Sequence, residues 1–543
     1  MNKNIKKMLT MALTLGLAIT AMPQAVLAYE VPKTVRIGLE SICKNKTTAT
    51  IGGKMLLIGT ESNGAFQEDG TLSSNAGFAV TLTSGEFVGI DEEMEEEEAL
   101  DLASVMERLG FRAYTAYLGD DDWSVYVADS SVSEVESASH YSASKVKNFT
   151  GIRLDGNLDS VIIASDVDPV FMGTGEQDTF SINGKSYRGM LTFVFNSAAM
   201  TAVNIVDLEA YLYGVVPAEM PASYEMEALK AQTIAARTYA MMNISAYLSL
   251  GYEFTDTTSC QVYSGYSGES ARTTQAVNAT AGEIACYNGN PIEAYFCAST
   301  GGYTENSENV WANAVPYLKA VPEFAEDGDN SWTVALTLDD LDALLSVKGE
   351  NIGSAQDIVI TKLSTGGRVQ EMKIVGSKGS KTLTKESIRT YFSASTSGSL
   401  PGKMFTINDK GGEIGVYGGS LSKSTSSSQV SNANDDSLVS AAAKSGIVAK
   451  TEGALSSING KVISMPSGSG VSGTTGNTKQ SSSYEVYSVN ISTVNNSGTF
   501  TFEGIGREHG VGLSQKGAQA MAKLGYTYEE ILKYYYTSIS IEG

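Results

Sequence analysis

The chain has 543 residues, a formal net charge of −23 and a pI near 4.6. A surface this acidic repels nucleic-acid phosphates, which excludes DNA and RNA as partners and favours an uncharged or partly cationic polymer. At roughly 100–200 residues per domain the length allows two to four domains, with ample chain for a packed core.

Lys3, Lys6 and Lys7 precede an apolar run from Met8 to about Ala21, then Pro23 and the small residues Val26 and Ala28. This order is expected of a secretory signal, residues 1–28, cleaved before Tyr29. The run falls short of the ~20 residues that span a bilayer, so the mature protein is expected outside the cytoplasmic membrane, secreted or in the cell wall. An uncleaved N-terminal anchor is the alternative.

Thr34–Glu40 and Thr48–Gly59 carry β-branched residues in strand fashion and open a β-rich domain over 29–75. A compact unit, residues 76–145, interrupts it. There the pattern predicts strand Gly77–Leu82, helix Met94–Leu109 closed by Gly110, strand Phe111–Leu118 and strand Trp123–Ala128, a small β-α-β-β module. The acidic run Asp91–Glu98 is a solvated helix start and not a metal site.

Strands resume from Ser160 and continue through about Ile407, with a short helix at Glu386–Phe392, giving a main domain over 146–417. Residues 418–483 are dominated by Ser, Gly, Thr, Asn and Ala. Such a stretch cannot bury enough surface to offset its ordering entropy, so a disordered insert is expected there. Order is expected to return over 484–543. Ser514 caps a first short helix that Gly525 ends, and Thr527 with Glu530 forms a capping box for Tyr528–Tyr536. The fold class expected is α+β: a β-rich mixed catalytic domain with a groove, interrupted by the small module and the insert.

The four cysteines, Cys43, Cys260, Cys286 and Cys297, are too few for a disulfide scaffold. Glu283–Tyr287 and Ile292–Phe296 read as a hairpin around Asn288-Gly289-Asn290-Pro291. In that register Cys286 opposes Glu293 and lies about 13 Å from Cys297, beyond disulfide reach. Cys260 with either remains open.

The most informative stretch is Asn204–Asn243. Pro217 and Pro221 flank Glu219 in Val216-Pro217-Ala218-Glu219-Met220-Pro221, which predicts a carboxylate held on a stiff loop. Downstream, Ala228, Ala231, Ala235 and Tyr239 form a close-packing stripe at helical spacing, while Lys230, Thr233 and Arg237 share another face. Those cations are placed to face Glu219. The spacing alone fits a structural ion pair between Glu219 and Lys230 or Arg237 equally well.

This block, together with Gly184-Lys185-Ser186-Tyr187-Arg188-Gly189, Phe296-Cys297-Ala298-Ser299-Thr300-Gly301-Gly302-Tyr303-Thr304 and His509-Gly510-Val511-Gly512-Leu513-Ser514-Gln515-x-Gly517-Ala518, resembles stage II sporulation protein D and its amidase-enhancer relatives. The four motifs occur in family order. The resemblance implies a lytic transglycosylase acting on the glycan strands of peptidoglycan stripped of stem peptides, with Glu219 as the catalytic acid and base. It implies a substrate groove served by Lys230, Gln232, Arg237, Ser299, Thr300, Gly301, Gly302, Tyr303, His509, Ser514 and Gln515.

A non-catalytic amidase enhancer partnering a cell-wall amidase is the rival reading. No cofactor is implied; a zinc site at Cys260, near which no histidine stands in the sequence, is the alternative. The chain departs from the family at Glu508, where Gly is usual before the motif histidine, and at Leu513, where Met is usual. Separately, Leu109-Gly110-Phe111-x-Ala113-Tyr114 and Trp123-Ser124-Val125-Tyr126-Val127 resemble the sporulation-related repeat, a peptidoglycan-binding fold, with an unrelated α+β insert as the alternative.

Overall fold

The computed structural model describes residues 32–411 and 487–543, apart from 158–159, 176, 178, 197, 325–329, 365, 396–397 and 494–497. The expected signal at 1–28 and the low-complexity segment at 418–483 lie outside the described residues. The fold is mixed α+β and rich in strands, as the residue pattern implies.

Seven strands make the first sheet, in the order Phe254–Thr255, Thr34–Gly38, Ala199–Asp207, Met190–Asn196, Val170–Gly173, Met55–Ser62 and Ala65–Ser73. Thr34–Gly38 buries Val35 and Ile37 by alternation, whereas Ala199–Val206 is buried throughout because it runs through the middle of the domain. Its Asn204 is buried among apolar neighbours yet satisfied. The amide donates to the Arg188 and Met190 carbonyls at 2.8 and 3.0 Å, and the oxygen accepts from the Tyr263 hydroxyl at 2.9 Å.

The β-α-β-β order predicted after residue 76 is present as strand Phe78–Ile90, helix Glu96–Arg108, strand Arg112–Gly119 and strand Asp122–Ala128. The sheet does not stop at 145. Strands Ala143–Asp155 and Ser160–Ala164 complete it: Phe78–Ile90 pairs with Asp122–Ala128 on one edge and with Ala143–Asp155 on the other. The ring closes through Ser160–Ala164 against Arg112–Gly119, in parallel, giving a five-stranded barrel. Closure removes the free edges that an open sheet of this size would expose. Phe87, Tyr114, Tyr126 and Phe149 cluster within it, with ring centroids 5.2–6.2 Å apart.

The barrel is fastened to the first sheet. Trp123 is fully buried, packs at a tilt on Tyr117 with ring centroids 4.9 Å apart, and donates to the Asp69 carbonyl at 3.2 Å. The Glu96 carboxylate accepts the Thr71 N–H. Thr48–Ile51 also pairs with Phe78–Thr81, so the strand opening the barrel is shared with the flanking domain.

A second unit has its own core of Trp332, Leu341, Leu344, Ile358, Ile360, Met372, Ile374, Phe405 and Phe502, among others. Strand Thr499–Ile505 pairs with Ser331–Thr337 and Met404–Ile407, and Tyr487–Ser492 pairs with Ala355–Leu363. The ordered chain after the low-complexity segment therefore returns first to this unit. Only the motif from Arg507 onward rejoins the Glu219 domain, so the boundary expected at 484 shifts by about two strands. The pairing decides this: Phe500 and Phe502 alternate into the second core.

The hairpin after Glu283 is also tighter than expected. Asn288 and Gly289, both at positive φ, form a two-residue turn that sets Cys286 opposite Pro291, not opposite Glu293. Phe296–Cys297 then leaves to pair in parallel with Leu513–Ser514. None of the four cysteines is in a disulfide.

Candidate active site around Glu219

Glu219 does not lie on a loop. It is the last residue of helix Leu208–Glu219, which contains Pro217. Asp207 caps the start by accepting the Glu209 and Ala210 N–H groups at 2.9 and 3.2 Å, and Leu208, Tyr211, Leu212, Val215 and Val216 bury one face. That apolar face holds the helix despite the hydrogen bond Pro217 cannot donate. Met220 turns to extended geometry, and Pro221 follows the end.

The carboxyl group meets three elements. Its Oε1 accepts the Val262 N–H at 2.8 Å, and the Gln515 side chain hydrogen-bonds to it from the start of helix Gln515–Lys523. Tyr211 and Tyr239 are close enough to sense its charge. Burial raises its pKa above the ordinary carboxylic value; the Val262 N–H lowers it, the nearby Glu508 carboxylate raises it, and Gln515 lowers it. The C-terminal end of its own helix also disfavours the negative charge.

Val262 presents its amide because the next residue, Tyr263, is buried and tied to Asn204 on the central strand. Tyr187, from the Gly184–Gly189 motif, lies 5.8 Å from the Tyr263 ring. A cleft lies between residues 223–225, just after Glu219 in the chain, and helix Gln515–Lys523, lined by Ser223, Tyr224, Glu225, Lys516, Gln519 and Lys523.

Several residues expected to bind substrate instead build the walls. Arg237 is fully buried and forks onto Glu209, so it does not face Glu219. Lys230 pairs with Glu227 at 2.8 Å and lies over the Tyr528 ring. Gln232 is buried within the central helix Met226–Asn243, its amide without a hydrogen-bonding protein partner among the described residues.

Ser299 and Thr300 are buried too, with the Thr300 hydroxyl donating to Glu323 at 2.7 Å. Ser514 is buried and caps its helix through the Gly517 N–H. None of these side chains is exposed to a polymer; their burial follows from the close packing of central helix, motif loop and C-terminal helices.

Gly301 serves the same wall. At φ +74° it lies against Ile505 and Gly506, where a Cβ would come within 2.9 Å of the Ile505 carbonyl group. Gly302 is also at positive φ, and the Gly302 and Tyr303 carbonyls accept from Glu323 and Arg368.

His509 packs between Tyr295 and Trp311, with its Nδ1 accepting the Val511 N–H at 3.0 Å. Burial first, then the charges of Arg389, Arg368 and Lys403, push its pKa down to about 3, so it is a neutral fixture of the wall. Of the residues expected in the groove, Gln515 is the one whose side chain reaches Glu219. The Val262 N–H left no sequence signal, because a backbone donor has no residue signature; Glu508 was visible only as a departure from the family motif.

Cys260 hydrogen-bonds with Tyr247 and lies near Tyr211 and Tyr239. Among the described residues no group of three or more His, Cys, Asp or Glu is arranged to hold a metal ion. A zinc site at Cys260 does not fit these neighbours.

Residues 196–287, which carry Glu219, the central helix and Cys260 to Tyr263, match the stage II sporulation protein family model (SpoIID). The chain is 33% identical over 376 residues to the amidase enhancer of Bacillus subtilis (strain 168), covering 66% of this chain and 44% of that protein. It is 41% identical over 143 residues to stage II sporulation protein D of the same organism, covering 24% and 41%. Over the region that carries Glu219 the chain is similar to the stage II sporulation protein D and amidase enhancer family.

An uncharacterized protein of Brachyspira hyodysenteriae is 36% identical over 233 residues, covering 42% of this chain and 61% of that protein. The chain thus spans less than two thirds of the length of these relatives. Residues 318–417 match a domain of unknown function (DUF8618), which corresponds to much of the second unit. The second matched domain is therefore that one, within what the residue pattern presented as one continuous catalytic domain, and the comparisons lend no support to a sporulation-related repeat at residues 76–145.

Proposed function

We propose that this chain is an exported cell-wall protein that cleaves the glycan strands of peptidoglycan as a lytic transglycosylase, leaving 1,6-anhydro-N-acetylmuramic acid ends. The observation that carries the reading is the Glu219 carboxyl group: partly buried, fixed by Val262 and Gln515, and retaining its proton to higher pH than an ordinary carboxylic acid. It sits in the family's matched region.

Hydrolytic glycosidases commonly need one carboxyl group to protonate the leaving oxygen and another to attack or to activate water. A transglycosylase needs one that titrates. Glu219 gives its proton to the glycosidic oxygen, and the C1–O bond breaks with its electron pair on that oxygen. The sugar's own C6 hydroxyl then attacks C1 and returns a proton to Glu219. Gln515 and the Val262 N–H keep the carboxylate aimed between the two steps.

The barrel is the candidate wall-binding module, and strands stripped of stem peptides are the preferred substrate. Incubating denuded glycan with the protein and analysing products by mass spectrometry tests the reading. Anhydro ends support it, while reducing ends alone would mean hydrolysis.

A second reading has one observation in its favour. The match to the amidase enhancer covers far more of the chain than the match to stage II sporulation protein D. Intact glycan combined with faster release of stem peptides by an added wall amidase would favour that role.

A further inference from the structure

Where the second unit meets the loops carrying Thr300 and His509, two cations hold donors that the protein does not use. Lys403 and Arg368 are both fully buried. Arg368 donates from Nη2 to the Thr300 and Tyr303 carbonyls, at 2.5 and 3.2 Å, and its Nε and Nη1 have no protein partner among the described residues. The Lys403 ammonium likewise makes no hydrogen bond among them. Glu386 Oε2 lies 3.8 Å from it, beyond hydrogen-bond reach, and Glu386 Oε1 accepts from Arg389 Nε.

Contacts join the two cations on both sides. On one side Val369, next to Arg368, donates its N–H to the Lys403 carbonyl at 2.9 Å. On the other, Lys403 faces Glu386, and the preceding Lys385 donates from Nζ to the Trp311 carbonyl at 2.6 Å. The Trp311 ring lies 5.2 Å from that of His509, and the next residue, Gly510, lies against the Arg368 guanidinium. These contacts close a ring about the two buried cations.

The charges within it do not balance. Lys403, Arg368 and Arg389 stand against the carboxylates Glu386 and Glu305, and part-buried Lys385 adds to the positive side. Glu305 is engaged elsewhere, accepting from the Asn306 N–H, Asn309 and Gln370. Three cations over two carboxylates leave at least one positive charge in excess, inside a chain whose net charge is −23. Burial pushes the Lys403 pKa down to about 8; Glu386 and Glu305 oppose the fall, and the two arginines add to it.

A buried charge is stable when it is both paired and hydrogen-bonded. Water would satisfy the unused N–H groups and leave the excess charge, whereas a small anion answers both. The full burial of Lys403 and Arg368 excludes a polymer-borne carboxylate or phosphate.

We propose that this contact is a binding site for one halide-sized inorganic anion, such as chloride, held by Lys403 Nζ and by Nε and Nη1 of Arg368. The anion fastens the second unit to the loops that carry Thr300 and Gly510. It takes no part in glycan chemistry, and the inference does not depend on the acid role of Glu219.

The test uses the full-length protein and two halides. Thermal unfolding is followed in potassium gluconate while chloride or bromide replaces gluconate at constant ionic strength. An anion bound by the folded state alone stabilises it by mass action, so the melting temperature is expected to rise by about 2 °C or more and then to saturate. Lys403→Met keeps the aliphatic stem and removes the ammonium, and its melting temperature should not respond to halide. Crystals grown in bromide should show an anomalous peak between Lys403 Nζ and the Arg368 guanidinium, which decides the matter even if Lys403→Met fails to fold. Equal melting in gluconate and halide with no such peak overturns the proposal in favour of water. A peak without a shift in solution means binding at crystal concentration only, and a halide effect that persists in Lys403→Met puts the anion elsewhere; either result also overturns it.

Discussion

Arg237 donates from Nε and Nη2 to the two carboxylate oxygens of Glu209, at 2.7 and 2.6 Å, and its Nη1 reaches the Glu283 carbonyl at 3.0 Å. This fork joins the central helix to the first turn of the helix that ends in Glu219. Removing one partner of a buried pair leaves the other uncompensated. Arg237→Met is therefore expected to cost about 2–4 kcal/mol, the partial exposure of Glu209 moderating the loss. Thermal unfolding by circular dichroism measures it. A variant that melts with the wild type but loses glycan affinity would move Arg237 into the groove.

Glu219→Gln keeps an oxygen for the Val262 N–H but removes the titrating proton, so turnover on denuded glycan should fall by roughly 100-fold or more with binding retained. Its stability should change in the opposite sense. The folded pKa of Glu219 is raised, so the stability tied to its proton is complete at low pH and is lost as pH rises through the folded value. The Gln variant is expected to melt above the wild type at neutral pH, with the gap closing toward acid. A gap that is the same at both ends would contradict a raised pKa.

What was legible in the sequence and what was not divide along one physical line. Alternation such as Val35 and Ile37, and caps such as Ser514 and Thr527, are local, and they lie where the pattern put them. Glu219 stood out through its flanking prolines, yet the same prolines suggested a loop, because the buried face of Tyr211, Leu212, Val215 and Val216 outweighs one missing hydrogen bond. The partner of Arg237 was hidden for a different reason. Glu209 lies 28 residues away on another helix, and only the packing of the two helices brings it there.

The barrel offers a prediction against its own apparent modularity. Excising residues 76–145 takes the partner of Thr48–Ile51, the Trp123 bond to Asp69 and the Glu96 contacts to Thr71, and leaves Ala143–Asp155 without its neighbour. Unpaired buried backbone groups each cost about 1–3 kcal/mol, and several are created at once. The deletion is expected to abolish cooperative unfolding, seen by calorimetry. A folded, active deletion protein would show instead that the barrel is a separable insert.

Arg368 belongs to the region matched by the domain of unknown function, yet its contacts are with the motif loop of the Glu219 domain. Fully buried, it donates from Nη2 to the Thr300 and Tyr303 carbonyls, and Gly510 at φ +75° lies so close that a Cβ there would come within 2.2 Å of the guanidinium. One arginine thereby holds the loop that carries Thr300 and packs against the one that carries His509. Arg368→Met removes both donor bonds while leaving Glu219 and its partners untouched. Loop displacement of this kind costs reaction geometry before it costs binding, so kcat should fall by roughly 10- to 100-fold with a smaller change in KM. Lys362→Ala, which breaks a half-exposed pair with Glu371 in the same domain, is the control and should stay within about 0.5 kcal/mol of wild type with unchanged turnover. Equal turnover in Arg368→Met and Lys362→Ala would show that the second domain does not support the reaction site.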